Sequence, residues 1–192
     1  MSTTHLFVEL LVIGFGALIW LALLFASVLG YDLSAASSGT LSLGTVVPIL
    51  SLGYVSGILV DRLADWTFDS LWPRRHENAY REAGLDEGAE EEDGASTFYR
   101  DRRWLVLEAP RLWQFIEYGR SRLRIARGWA LNWILLAATI SLYSELGVSD
   151  AFVIDRCRLG MLIALLVFLA CLSWRVWDRL SFQEVKKVKR QA

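Results

Sequence analysis

The feature that most restricts this chain is a run from Leu6 to Leu29 that is apolar except for Glu9 and Ser27. A helix of about 20 residues, with a range of roughly 17–25, crosses the hydrocarbon core of a bilayer, and this run reaches that length unaided. Three more apolar runs follow: Leu43 to Val60, Gly128 to Tyr143 and Leu159 to Trp174. They reach the same length with their flanks, which carry aromatic residues suited to headgroup depth, namely Trp66, Trp129, Trp133, Tyr143, Trp174 and Trp177. Hydrophobic residues make up 54% of the 192 and are gathered into these four blocks. The first run is expected to remain as a helix and not to be a cleaved signal peptide. Met1 to His5 holds no Lys or Arg, and the apolar stretch exceeds an h-region of about 7–15 residues.

Basic residues set the expected orientation. Gly30 to Ser42, between the first two runs, has none, whereas Asp61 to Arg127 has twelve Arg and the stretch after Trp174 has six basic residues. Only Arg156 and Arg158 fall in the third connection, where they can snorkel to the outer headgroups beside Asp150 and Asp155. Lys and Arg favour the cytoplasmic side, so both termini and the long insert are expected there. The fold class that follows is all-α and integral to the membrane, a four-transmembrane-helix bundle with helical cytoplasmic extensions of the second and third spans. Four segments are expected. Residues 1–60 form the first two spans, 61–127 a cytoplasmic helical insert, 128–177 the last two spans and 178–192 a basic tail. A bacterial inner (plasma) membrane is the expected location.

Within the insert, the second span is expected to continue to Trp72 and end at Pro73, with a short polar helix over 74–83. Residues 84–96 read as a flexible acidic loop, with Asp86, Glu87, Glu90, Glu91, Glu92 and Asp93 and no basic residue. From Phe98 to Arg127 the sign reverses, with eight Arg against three carboxylates. Pro110 suits a helix start, and the helix would run from there into the third span. Arg120, Arg124 and Arg127 then form one stripe. Such a stripe meets headgroup phosphates and the acidic loop, or docks an acidic partner, anionic lipid or phosphorylated ligand. Lys186, Lys187 and Lys189 make a small polybasic cluster that suits an anionic leaflet. With a net charge of -1, the whole chain carries no nucleic-acid footprint.

Inside the runs, Gly53 and Gly57 form a GxxxG face with Ser56 beside them, a helix-contact surface within the bundle or between protomers. Pro48 is expected to kink that helix and free a carbonyl. Glu9, Asn132 and Thr139 are the polar groups at depth. Glu9 is expected to pair with Arg62, Arg127 or Arg175, and Asn132 and Thr139 to bond across helices or line a polar path. Cys157 and Cys171, fourteen residues apart on one helix, stand about 21 Å apart and cannot form an intrachain disulfide. Two Cys with the distant His5 and His76 do not make a zinc site.

Asp61, Asp65 and Asp69 share a helix face, as carboxylates that hold Mg²⁺ for transfer at a membrane surface would. The flanking glycines and the Ala-Arg of membrane phosphatidyltransferases are missing, as is any second Asp-rich motif. Ser-His-Asp, Cys-His, HExxH, P-loop and GxGxxG arrangements are absent too. No enzyme activity and no cofactor are expected. Two functions fit. The first is an oligomeric channel, pore or membrane effector subunit controlled through the Arg-rich insert. The other is a non-conducting anchor or adaptor that recruits a cytoplasmic protein, in a defence or signalling setting. The expected partners are membrane lipids, further copies of the chain and a cytoplasmic protein.

Overall fold

The computed structural model describes residues 3–31, 43–71, 110–146 and 156–191, and everything in them beyond short terminal turns is helix. The helices are α1 (Thr3–Leu29), α2 (Leu43–Leu71), α3 (Pro110–Glu145) and α4 (Arg156–Gln191). Each is long and apolar enough to cross a membrane. The short helix expected over 74–83 and the acidic loop 84–96 lie outside the described residues.

Local chemistry accounts for several of the boundaries. Gly30 follows α1 with φ +65°, a left-handed position that suits glycine. The Tyr31 amide then donates to the Ala26 carbonyl at 2.9 Å, the six-to-one bond of a Schellman cap. Pro110 opens α3, where a missing N–H costs no intrahelical bond. Pro48 lies in the second turn of α2, which runs on past it as one helix. The carbonyl left without its usual amide partner is that of Gly44, close to the helix start. Hydroxyls are satisfied within their own helices: Ser27 donates to Leu23 at 2.7 Å, Ser141 to Ala137 at 2.9 Å and Ser181 to Trp177 at 2.9 Å.

In the packing, α1 lies between α2 and α3, and α4 lies on the outer side of α3. α1 and α2 are antiparallel and touch backbone to backbone. A Cβ built on Gly57 would overlap the carbonyl oxygen of Leu10, and one built on Gly14 would overlap that of Gly53. Glycine is therefore required at positions 57 and 14 for the two chains to approach this closely. α1 and α3 run parallel, with Ile13 against Gly128. Ile13 and Ala17 of α1 and Val60 of α2 make one buried cluster. Ala64 and Phe68 of α2, Ala130 of α3 and Trp177 of α4 make a second. Phe68 packs edge-on against Trp177 with ring centroids 4.6 Å apart, which ties α2 to α4 at one end of the bundle. α4 is otherwise peripheral. Only 11% of its most apolar window is buried, against 28–33% in the other three helices.

Candidate functional site: a charged cavity at one end of the bundle

The antiparallel order brings together the start of α1, the end of α2, the first half of α3 and the end of α4. A cavity of about 560 Å³ opens between them. Leu6 and Leu10 of α1 with Tyr54 and Ile58 of α2 line its apolar part. Asp61, Asp65 and Asp69 follow at four-residue spacing along α2 and face Arg120, Arg124 and Arg127 of α3. Trp177 and Ser181 contribute from α4, and Arg62 from the edge of α2.

One ion-pair group holds the two charged walls together. The Arg127 guanidinium donates to Asp61 at 2.9 Å and also to Asp65. The Arg127 and Asp61 side chains are each only 13% exposed, while Asp65 is more open. Arg62, on the surface, stands 3.9 Å from Asp65. One arginine thus holds two carboxylates, and removing it would leave the buried Asp61 uncompensated. Beside this group lies Glu9, whose nearest cation is Arg124 at 3.8 Å. Glu9 is buried, and among the described residues neither of its carboxylate oxygens has a hydrogen-bond donor and Arg127 Nε has no acceptor. Arg124 makes no hydrogen bond among the described residues, so it meets Glu9 through charge alone.

Several residues singled out in the sequence meet partners other than those expected. Glu9 faces Arg124, not Arg62, Arg127 or Arg175. Arg127 leaves the stripe it shares with Arg120 and Arg124 and turns inward to the aspartates. Asp61 and Asp65, which share a face of α2 with Asp69, are engaged by that arginine. Among the described residues, no three His, Cys, Asp or Glu side chains group as metal ligands. Asn132 is fully buried and bonds across helices. Its Nδ2 donates to the Ile13 carbonyl at 2.9 Å, and its Oδ1 accepts from Trp20 Nε1 at 3.0 Å. Thr139 does not bond across, since its hydroxyl donates within α3 to Leu135 and Leu136. Gly53, Ser56 and Gly57 are all buried on α2. Lys186, Lys187 and Lys189 fall in the last turns of α4, and their side chains lie outside the described residues. Cys157 and Cys171 are not joined in a disulfide.

The sequence reading missed Gly14, Gly16 and Trp20. A Cβ on Gly16 would stand 3.1 Å from Asn132 Cγ, so this glycine makes room for the buried amide. The available signal was the Gly14-Phe15-Gly16-Ala17 stretch, a concentration of small residues inside a run of bulky ones. The chain matches no protein-family model, no curated protein and no solved structure.

Proposed function

We propose that the chain is an integral protein of the bacterial inner membrane with both termini cytoplasmic, and that it acts as a non-conducting anchor that recruits a cytoplasmic partner. The observation that carries this is the way the bundle interior closes. At mid-height, backbone contact at Gly14, Gly53 and Gly57 seals α1 against α2, and the Asn132 bonds to Ile13 and Trp20 tie α3 to α1. Among the described residues, the polar cavity lies at the charged end. An ion following the axis of one bundle would meet close helix packing above Glu9, where the fully buried amide of Asn132 is already bonded to Ile13 and Trp20. Water would have no place there to replace a hydration shell.

A pore between copies needs polar, outward-facing residues along a helix. The exposed mid-level residues of α4 are instead Met161, Leu165, Phe168 and Leu172. That face suits lipid or another helix. The low burial of α4 favours self-association through it, giving a homo-oligomeric anchor. Recruitment is assigned to the insert between α2 and α3, whose two helical stems end at the charged cavity.

Reconstitution tests this reading. Liposomes carrying the full chain should show no more ion flux than empty ones. Flux that rises with protein dose and disappears in a Gly57→Ile variant would replace the anchor with a channel. Reporters placed after Ser96 and at the C-terminus should register as cytoplasmic, and one near Ser37 as external. Labelling of a cysteine placed within 90–94 from outside intact cells would invert the orientation.

A further inference from the structure

The lining of the charged cavity is divided into an apolar part and a charged part. It runs along α2 from Tyr54 to Asp69, about 22 Å at 1.5 Å per residue. A headgroup layer is only about 5–8 Å deep per leaflet. In the proposed membrane the apolar part of the slot, Leu6, Leu10, Tyr54 and Ile58, therefore reaches acyl depth while Asp69 and Arg120 stand among the headgroups. The charged part is two-sided as well. Arginines line the α3 wall, and Arg124 makes no hydrogen bond among the described residues, where its ion-pair partner is Glu9 at 3.8 Å. On the α2 wall, Asp61 and Asp65 share Arg127, while Asp69 has no ion-pair partner among the described residues.

A purely anionic headgroup would satisfy the arginines but press its charge against Asp65 and Asp69. A purely cationic one would do the reverse. A headgroup carrying both a phosphate and a primary ammonium satisfies both walls. Arginine suits the phosphate through charge-assisted bonds, and the ammonium supplies N–H donors to carboxylates.

We propose that this slot binds one phospholipid of the phosphatidylethanolamine class, with its phosphate on Arg124 beside Arg120, its ammonium on Asp69 and Asp65, and the start of its acyl chains against Leu6, Leu10 and Ile58. The site rests on the membrane reading given above. It gives the anchor a way to sense the composition of its own leaflet.

The test uses the full chain in mild detergent micelles doped with equal amounts of phosphatidylethanolamine, phosphatidylcholine and phosphatidylglycerol of matched acyl chains. Retained lipid is counted by native mass spectrometry. Wild type should keep one phosphatidylethanolamine about tenfold over the other two, the factor expected from roughly one charge-assisted hydrogen bond. Asp69→Asn, on an exposed residue, should erase the preference over phosphatidylcholine without reducing phosphatidylcholine retention. Glu9→Gln with Arg124→Gln removes the phosphate partner without stranding a buried carboxylate, and should lower retention of all three lipids about tenfold. Equal retention of the three lipids by wild type would overturn the proposal. So would unchanged retention in both variants, or full displacement by glycerophosphoethanolamine at equal concentration, which would make the ligand a soluble phosphoethanolamine. Alkaline extraction separates the two readings. A chain released into the soluble fraction defeats the membrane assignment. One that stays in the membrane without the lipid preference defeats only the headgroup site.

Discussion

Gly53 and Gly57 look equivalent in a GxxxG pattern, yet the structure gives them opposite sensitivities to one added methyl group. A Cβ at Gly57 would stand 2.7 Å from the Leu10 carbonyl carbon and 3.2 Å from Gly14 N, and closer still to the Leu10 oxygen. Ordinary contact begins near 3.4 Å, so relieving the carbonyl carbon alone requires a shift of 0.7 Å (3.4 minus 2.7). The oxygen demands more. A gap of about 0.5–1 Å forfeits roughly a quarter to a half of the dispersion energy of each contact it opens, and overpacking typically costs about 1–3 kcal/mol. Gly57→Ala is expected to lose about 3 kcal/mol. Gly14→Ala, which meets the Gly53 carbonyl, should lose a similar amount. At position 53 the new methyl would meet only Leu11 and Leu18 side chains at 3.6 Å. Gly53→Ala should therefore be neutral, or stabilising by up to about 1 kcal/mol through helix propensity. Thermal unfolding in one detergent reads the difference. At about 2–4 °C per kcal/mol for a chain of this size, Gly57→Ala should lower Tm by about 6–12 °C while Gly53→Ala holds it. Equal losses at both positions, or none at 57, would refute the backbone-contact geometry.

Two further outcomes follow from the polar contacts. Arg127→Gln should destabilise by about 3 kcal/mol because it strands the buried Asp61, while Asp65 keeps Arg62 and water. Adding Asp61→Asn and Asp65→Asn should recover more than half of the lost Tm, and a triple variant no more stable than the single one would contradict the assigned pairing. Asn132→Leu should cost about 1–2 kcal/mol, since it leaves the half-buried Trp20 N–H without its acceptor. In a Trp20→Phe background the same change should cost measurably less, and strict additivity in that thermal double-mutant cycle would argue against the bond.

Much of the helical layout was legible in the residues because length and apolarity are one-dimensional properties. The Leu6–Leu29 run coincides with a span-length helix, and Pro110 marks the start of α3. α4 extends through most of the segment read as a separate tail, reaching Gln191, because nothing between Asp178 and Gln191 breaks a helix. The contacts between helices were much less legible. Span boundaries give Glu9 a depth, but its partner depends on how each helix is rotated and which helices are neighbours. Arg124 wins by lying on the face of α3 turned toward α1. The aspartates of α2 and the arginines of α3 each stood out on their own, the first as carboxylates sharing one helix face and the second as a stripe for headgroups or a docking partner. No rule of local spacing connects residues 61 and 127, although their opposite charges at one depth were the clue.

The dependence of α3 on its neighbours bears on how such a chain would be made. α3 is the least apolar of the four candidate spans, and its two costliest groups, Arg127 and Asn132, find their partners on α2 and α1. Those partners leave the ribosome first. A hairpin of α1 and α2, closed by its glycines, would already stand in the bilayer when α3 emerges. It would offer a carboxylate pair and a waiting carbonyl to a segment that partitions poorly by itself. In the proposed membrane the order of synthesis would then double as an assembly order. The early helices would serve as an internal chaperone for the third, and α4, packed mainly along α3, would complete the unit last.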